Sequence, residues 1–288
     1  MRGFLRRALG LGRKGDGARG ARRRPASGAS PRGFEYGWAT DVGSVRRHNE
    51  DAALVMMSAR AGDNATPMFG FFGLADGMGG HRAGEVASSV AVSTAAHHVA
   101  TRFYLPTLIS HHRDGGEPTL NDVLVEAVKA ANRAVTTEAP GGGTTLTCAL
   151  MLNERAYIAH VGDSRAYIVS GRGLEQITHD HSLVDRLIEL GELERDDALN
   201  HPQRNVLYRA VGQSATLEVD THVRTIPPGY QLLLCSDGVW SELSDGEMLE
   251  AIKAAPSLQA ACDDLVAAAN QAGGHDNSTV LLVGQATS

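Results

Sequence analysis

From Phe34 onward, short apolar runs bounded by Gly, Asn, Asp and Ser alternate with longer stretches in which Ala, Val and Leu recur every three or four residues. The short runs have strand character and fall at 35–41, 52–57, 68–75, 144–152, 155–161, 165–170, 217–225, 230–236 and 278–284. Connections such as Leu152-Asn153-Glu154 and Ser170-Gly171-Arg172-Gly173 are short enough only for antiparallel hairpins. Helical spacing is clearest at 83–103, 119–138, 181–191, 245–254 and 257–272. Two long helices therefore follow the third strand, and two hairpins come next. Strands in groups with helices inserted between the groups predict an α+β layered sandwich and not a doubly wound parallel sheet.

Composition adds boundaries to this pattern. The chain has 288 residues, 42% hydrophobic and 21% charged, enough for a sizeable core in a soluble globular protein. No linker rich in Pro, Gly or Ser interrupts the sequence after Phe34, so residues 33–286 read as one domain. Residues 1–32 are different: ten Lys or Arg against one Asp give +9, and the remainder carries −15. With almost no large apolar residue after Leu11, this basic arm is predicted to be disordered, and it gives no reason to expect nucleic-acid binding. No run approaches the roughly 18 apolar residues of a membrane span. Phe4-Leu5 is broken at once by Arg6-Arg7, which does not read as a secretory signal. Cys148, Cys235 and Cys262 lie in apolar surroundings without metal or redox spacing, so they read as small buried hydrophobes in a cytoplasmic protein.

The chemistry lies in the acidic residues. Four aspartates sit where an apolar run meets a small or polar residue: Leu74-Ala75-Asp76-Gly77, Gly162-Asp163-Ser164, Cys235-Ser236-Asp237-Gly238 and His275-Asp276-Asn277. A fifth acidic point, Glu50-Asp51, follows Arg46-Arg47-His48-Asn49. Singly, each is ordinary turn chemistry. Jointly, carboxylates at the ends of several strands can converge, and oxygen donors suit hard divalent cations. Gly77 and the glycines after it leave room for a main-chain carbonyl to approach an ion.

Five motifs occur in a fixed order: Arg46-x-x-Asn49-Glu50-Asp51, Asp76-Gly77-Met78-Gly79-Gly80, Gly143-Thr144-Thr145, Gly162-Asp163-Ser164-Arg165, and Ser236-Asp237-Gly238 with Asp276-Asn277. Over residues 34–284 the chain thereby resembles the metal-dependent protein phosphatases of the protein phosphatase 2C type, in their compact bacterial form. The resemblance implies an α+β four-layer sandwich, two central antiparallel β-sheets flanked by α-helices, with a metal centre at one end. It implies two divalent ions, Mn2+ or Mg2+, and a third bound more weakly. Asp76 would bridge both ions, with Asp237 and Asp276 completing the first site. Glu50 or Asp51, with the Gly77 main-chain carbonyl, would serve the second, the other acid of that pair holding water. Asp163, sharing Asp237, would serve the third.

The activity implied is hydrolysis of phosphoserine and phosphothreonine in proteins, by direct attack of a water or hydroxide lying between two metals, in opposition to bacterial Ser/Thr kinases. No side-chain nucleophile is needed, and no Cys-x5-Arg loop is present. A body carrying −15 repels a phosphoprotein unless ions and a local cation reverse the field. Arg46 is the candidate, because guanidinium offers phosphate two parallel hydrogen bonds. If residues 46–50 are extended, Arg46, His48 and Glu50 share one face and Arg47, Asn49 and Asp51 the other. The leaving-group acid stays open: some members of the family have a histidine after Asp-Gly, where this chain has Met78, and His48 and His81 are near only in sequence. The resemblance also implies a flap at 180–214, closed by Arg209-Ala210-Val211-Gly212. The expected partners are phosphoproteins and the expected state a monomer. Two other readings are a non-catalytic phosphate- or metal-sensing module of the same fold, and an interaction protein recruited by its basic arm. Every ligand position of the motif set is filled, which favours the enzyme.

Overall fold

The computed structural model describes residues 33–58, 68–79, 82–109, 118–194, 197 and 201–286. The basic arm lies outside these residues, as do Gly80 and His81. In chain order the elements are β1 (Phe34–Asp41), β2 (Asp51–Ser58), β3 (Phe69–Met78), α1 (Arg82–Val99), a π-helical turn (Ala100–Tyr104), α2 (Leu105–Ile109) and α3 (Leu120–Glu138). Then come β4 (Gly143–Thr144), β5 (Leu146–Leu152), β6 (Arg155–Val161), β7 (Arg165–Ser170), β8 (Gly173–Gln176) and α4 (Leu183–Glu189). The remainder is β9 (Asp220–Thr225), β10 (Gln231–Cys235), α5 (Asp237–Trp240), α6 (Asp245–Ala254), α7 (Leu258–Ala272) and β11 (Ser278–Gln285).

Two antiparallel sheets result, one ordered β1-β11-β10-β7-β8 and the other β2-β3-β5-β6-β9, with β4 added against β3. The strands at their centres are apolar on both faces because both faces are covered. Along β3, Phe69, Phe71 and Ala75 join α1 and α3 in one core, while Phe72 and Leu74 enter the core between the sheets. In β10 and β11, Leu232, Leu234, Leu281 and Val283 face the other sheet, and Leu233, Cys235, Val280 and Leu282 pack with α6 and α7. Helix, sheet, sheet, helix is the four-layer order the resemblance implies.

Helix starts follow local chemistry. Thr119 and Asp122 form a reciprocal capping box at α3, Ser244 and Glu247 do so at α6, and Ser182 caps α4. Three details depart from the sequence reading. The helix expected to reach residue 103 is α-helical only to Val99 and then widens into the π turn. The strand expected from 217 begins at Asp220. Two short elements, β8 and α5, carry no apolar run long enough to announce them. Among the described residues no helix is long and apolar enough to cross a membrane.

Candidate metal centre

The acidic motifs meet at one end of the sandwich. Arg46, Glu50, Asp76, Gly77, Asp163, Asp237 and Asp276 all line one cavity of about 200 Å³, with Met78, Thr145, Asn205, Leu207 and Asn277. Each arrives by its own route. Asp76 lies in β3 opposite Asp51 of β2. Asp163 lies in the turn between β6 and β7, Asp237 is the first residue of α5 rather than a strand end, and Asp276 precedes β11.

The main chain around these residues is tightly held. Asp76 N–H donates to Thr145 Oγ1 at 2.8 Å, and its carbonyl accepts from Thr144 Oγ1 at 2.8 Å and Thr145 N–H at 2.9 Å. Asn277 Oδ1 accepts from Glu50 N–H at 2.8 Å, while its amide donates to the carbonyls of Val42 and His48, both at 2.9 Å. Thr145 and Asn277 are therefore the side chains that set the aim of Asp76 and Glu50; they stood inside the motifs, but nothing in their spacing disclosed the task. Gly77 donates to the Glu50 carbonyl at 3.1 Å, and a Cβ on it would collide with the backbone oxygens of Glu50 and Gly84. Gly162, at φ 112°, makes the turn that presents Asp163.

Glu50 and Asp51 separate here. Glu50 lines the cavity, whereas Asp51 lies beneath it, its Oδ2 accepting from Ser236 Oγ at 2.8 Å. Residues 44–48 are bent and not extended, yet Arg46 and Glu50 still reach the same cavity. Arg46 is engaged there: its Nη2 meets Asp276 Oδ2 at 2.6 Å, with the side chain half exposed. Among the described residues no histidine lines this cavity.

The electrostatics are those of crowded, dehydrated acids. Burial, then repulsion from Asp51 and Asp237, raises the Asp76 carboxyl well above the ordinary range. Burial and Asp237 do the same to Asp163, and burial with repulsion by Asp276 lifts Asp237 to about 6. One oxygen of Asp237 and one of Asp51 are buried with no hydrogen-bond partner. An uncompensated carboxylate oxygen beside a cavity lined by four further carboxylates fits a hard cation better than any neutral donor. The fit is not closed: among the described residues no three Asp, Glu, His or Cys side chains are grouped tightly enough to hold one ion as they stand. The carboxylates share a cavity wall, and Asp276 is paired with Arg46.

The 180–214 segment also reaches the site. Asn205 and Leu207 are on the cavity wall, and Ser182 bridges Leu207. Val211 pairs with Thr144 through bonds of 2.9 and 3.0 Å, which returns the segment to the core as the sequence suggested. The three cysteines are buried and free, and burial pushes each thiol up to about 12.

Comparison with known proteins gives a consistent answer. The sequence model described as Protein phosphatase 2C matches residues 39–190. The serine/threonine phosphatase stp of Listeria monocytogenes serovar 1/2a is 40% identical over 245 residues, 85% of this chain and 93% of the relative. The crystal structure of the Mycobacterium tuberculosis serine/threonine phosphatase PstP/Ppp superposes with a TM-score of 0.71 at 34% identity, covering 87% of this chain and 98% of that one. A structure of the PstP catalytic domain in complex with two manganese ions superposes at 0.70, with 32% identity and coverage of 88% and 99%.

Proposed function

The chain belongs to the protein phosphatase 2C family and is a metal-dependent serine/threonine phosphatase, and we propose that it hydrolyses phosphoserine and phosphothreonine of proteins in the cavity between Arg46 and Asp237. In this reading Asp76, Asp237 and Asp276 would hold one ion, and Asp76, Glu50 and the Gly77 carbonyl would hold a second. Glu50 takes this place over Asp51 because Glu50 lines the cavity, whereas Asp51 is held beneath it by Ser236. Asp163 and Asp237 serve a third, weaker ion. The observation that carries the assignment is the buried, partnerless oxygen of Asp237 in a cavity lined by five carboxylates, those of Glu50, Asp76, Asp163, Asp237 and Asp276. Mn2+ and Mg2+ both suit such donors, and manganese is the ion in the PstP complex. When bound, the ions supply positive charge against the phosphate dianion and acidify water for attack.

The chain's own residues do the rest. Arg46, which meets Asp276 in the structure, would turn its guanidinium to the phosphate oxygens and leave that carboxylate free to hold an ion. Thr145 and Asn277 fix the backbone from which Asp76 and Glu50 project. Met78 has no proton to give, and in this reading the leaving Ser or Thr alkoxide would take its proton from water. The protein acts as a cytoplasmic monomer opposed to protein kinases. The test is phosphate release from a phosphothreonine peptide with Mn2+ or Mg2+, abolished by chelator and restored by added ion. A chain that binds the peptide and releases no phosphate with either ion would instead be a sensing module.

A further inference from the structure

Resting on the reading of Asp163 and Asp237 as ligands of the weaker ion, we infer that Trp240 is a positioning residue for that pair. Asp237 opens α5 and Trp240 ends it. The indole Nε1 donates to the main-chain carbonyl of Asp163 at 3.0 Å. The helix that carries one carboxylate thus holds the turn that carries the other. The sheet alone does not do this: the β7–β10 ladder ends with Cys235 opposite Arg165, and both acids lie beyond it. Because the bond is to the carbonyl, the carboxylate of Asp163 remains on the cavity wall.

The indole is itself fixed. The Arg165 guanidinium lies over the ring with Cζ 3.6 Å from its centroid, and donates to Asp180 Oδ2 at 2.8 Å and to the Tyr167 hydroxyl at 3.2 Å. The opposite side of the turn is gripped by His181, whose N–H donates to the Gly162 carbonyl at 2.8 Å and whose Nδ1 accepts from Gly162 N–H at 3.0 Å. With His181 holding the turn in place, loss of the indole N–H leaves the fold intact and frees the Asp163 carbonyl, so the carboxylate loses its aim.

Calorimetric titration of the chelator-treated full chain with Mn2+ separates tight from weak binding. Trp240→Phe keeps the ring over Arg165 and is expected to weaken the weak phase about fivefold, the equilibrium equivalent of one neutral hydrogen bond. The tight phase is unchanged, and Asp163→Ala removes the weak phase altogether. In Trp38→Phe, Trp240 is the only tryptophan left of two, and its emission is expected to follow the weak phase. A weak phase that Asp163→Ala removes and Trp240→Phe does not move overturns the positioning role while leaving the third site standing. A wild-type chain with no weak phase, or one that survives Asp163→Ala, overturns the third site and the role of Trp240 with it. If Trp240→Phe melts early, the Trp38→Phe titration decides: emission that ignores the weak phase refutes the proposal.

Discussion

Replacing Asp237 with Asn keeps the side chain's shape and removes one negative charge from the cavity. Burial and the repulsion of Asp276 raise this carboxyl from 3.8 to about 6. A folded pKa above the unfolded one means that its contribution to stability is fully present below pH 3.8 and is lost as pH rises through about 6. Above that range the ion-free chain carries the charged form at a cost of about 3 kcal/mol, two units at ~1.36 kcal/mol each. Asn removes this cost, and its amide can donate to Asp76. In chelator at pH 7.5 the variant should therefore be more stable than wild type by about 1–3 kcal/mol, or roughly 2–4 °C in melting temperature per kcal/mol. With Mn2+ the order should reverse. Wild type gains stability by mass action, ~2.7 kcal/mol at a hundredfold excess over Kd, and the variant gains less. Phosphothreonine peptide hydrolysis should fall at least about a hundredfold. Scanning fluorimetry with chelator and with Mn2+, beside a phosphate-release assay, checks all three. A variant that melts no higher than wild type in chelator, or that Mn2+ stabilises equally, would refute the idea that cations offset the charge of Asp237.

Other outcomes follow from the same geometry. Arg46→Ala should raise KM about tenfold, the worth of charge-assisted hydrogen bonds to phosphate, with a smaller change in kcat; unchanged kinetics would dismiss its phosphate role. His160 is fully buried, donates Nε2–H to the His179 carbonyl at 3.0 Å and accepts at Nδ1 from Thr147 at 2.8 Å. Burial and the neighbouring His181 lower it from 6.5 to about 3, so its contribution is present above pH 6.5 and lost as pH falls toward 3. The stability of wild type relative to His160→Gln should consequently shrink by about 2 kcal/mol between pH 7 and pH 5, read from urea unfolding in chelator. A difference that does not change with pH would show that burial leaves the His160 pKa unshifted. Deleting residues 1–32 should leave peptide hydrolysis intact, and loss of turnover in a folded deletion would make the arm part of the mechanism.

The sequence made the central strands of the two sheets legible because they are buried on both faces, and unbroken apolar runs such as Phe69 to Ala75 survive any choice of period. It left β8 and α5 unread: β8 is a four-residue strand at the edge of its sheet, and α5 is a single turn without a stripe of its own. The acids of the site were legible as motifs, yet their division of labour was not. Glu50 and Asp51 are adjacent and chemically alike, and only the position of Ser236, remote in sequence, puts Asp51 beneath the cavity wall. The Arg46–Asp276 pair was equally hidden, because the residues that form it are 230 positions apart and an arginine beside acids reads the same whether it meets phosphate or carboxylate.

The place of β11 has a bearing on when the protein can work. This strand is the last among the described residues, but it lies between β1 and β10, and Asp276 stands two residues ahead of it. During translation β1 must wait, unpaired on that side, until the chain through β11 has left the ribosome. Any product that stops short of Ser278 lacks an interior strand of one sheet. Chains that end or are cut ahead of this strand lack the partner of both β1 and β10, so the site to which Asp276 belongs is expected to form only once β11 has joined its sheet.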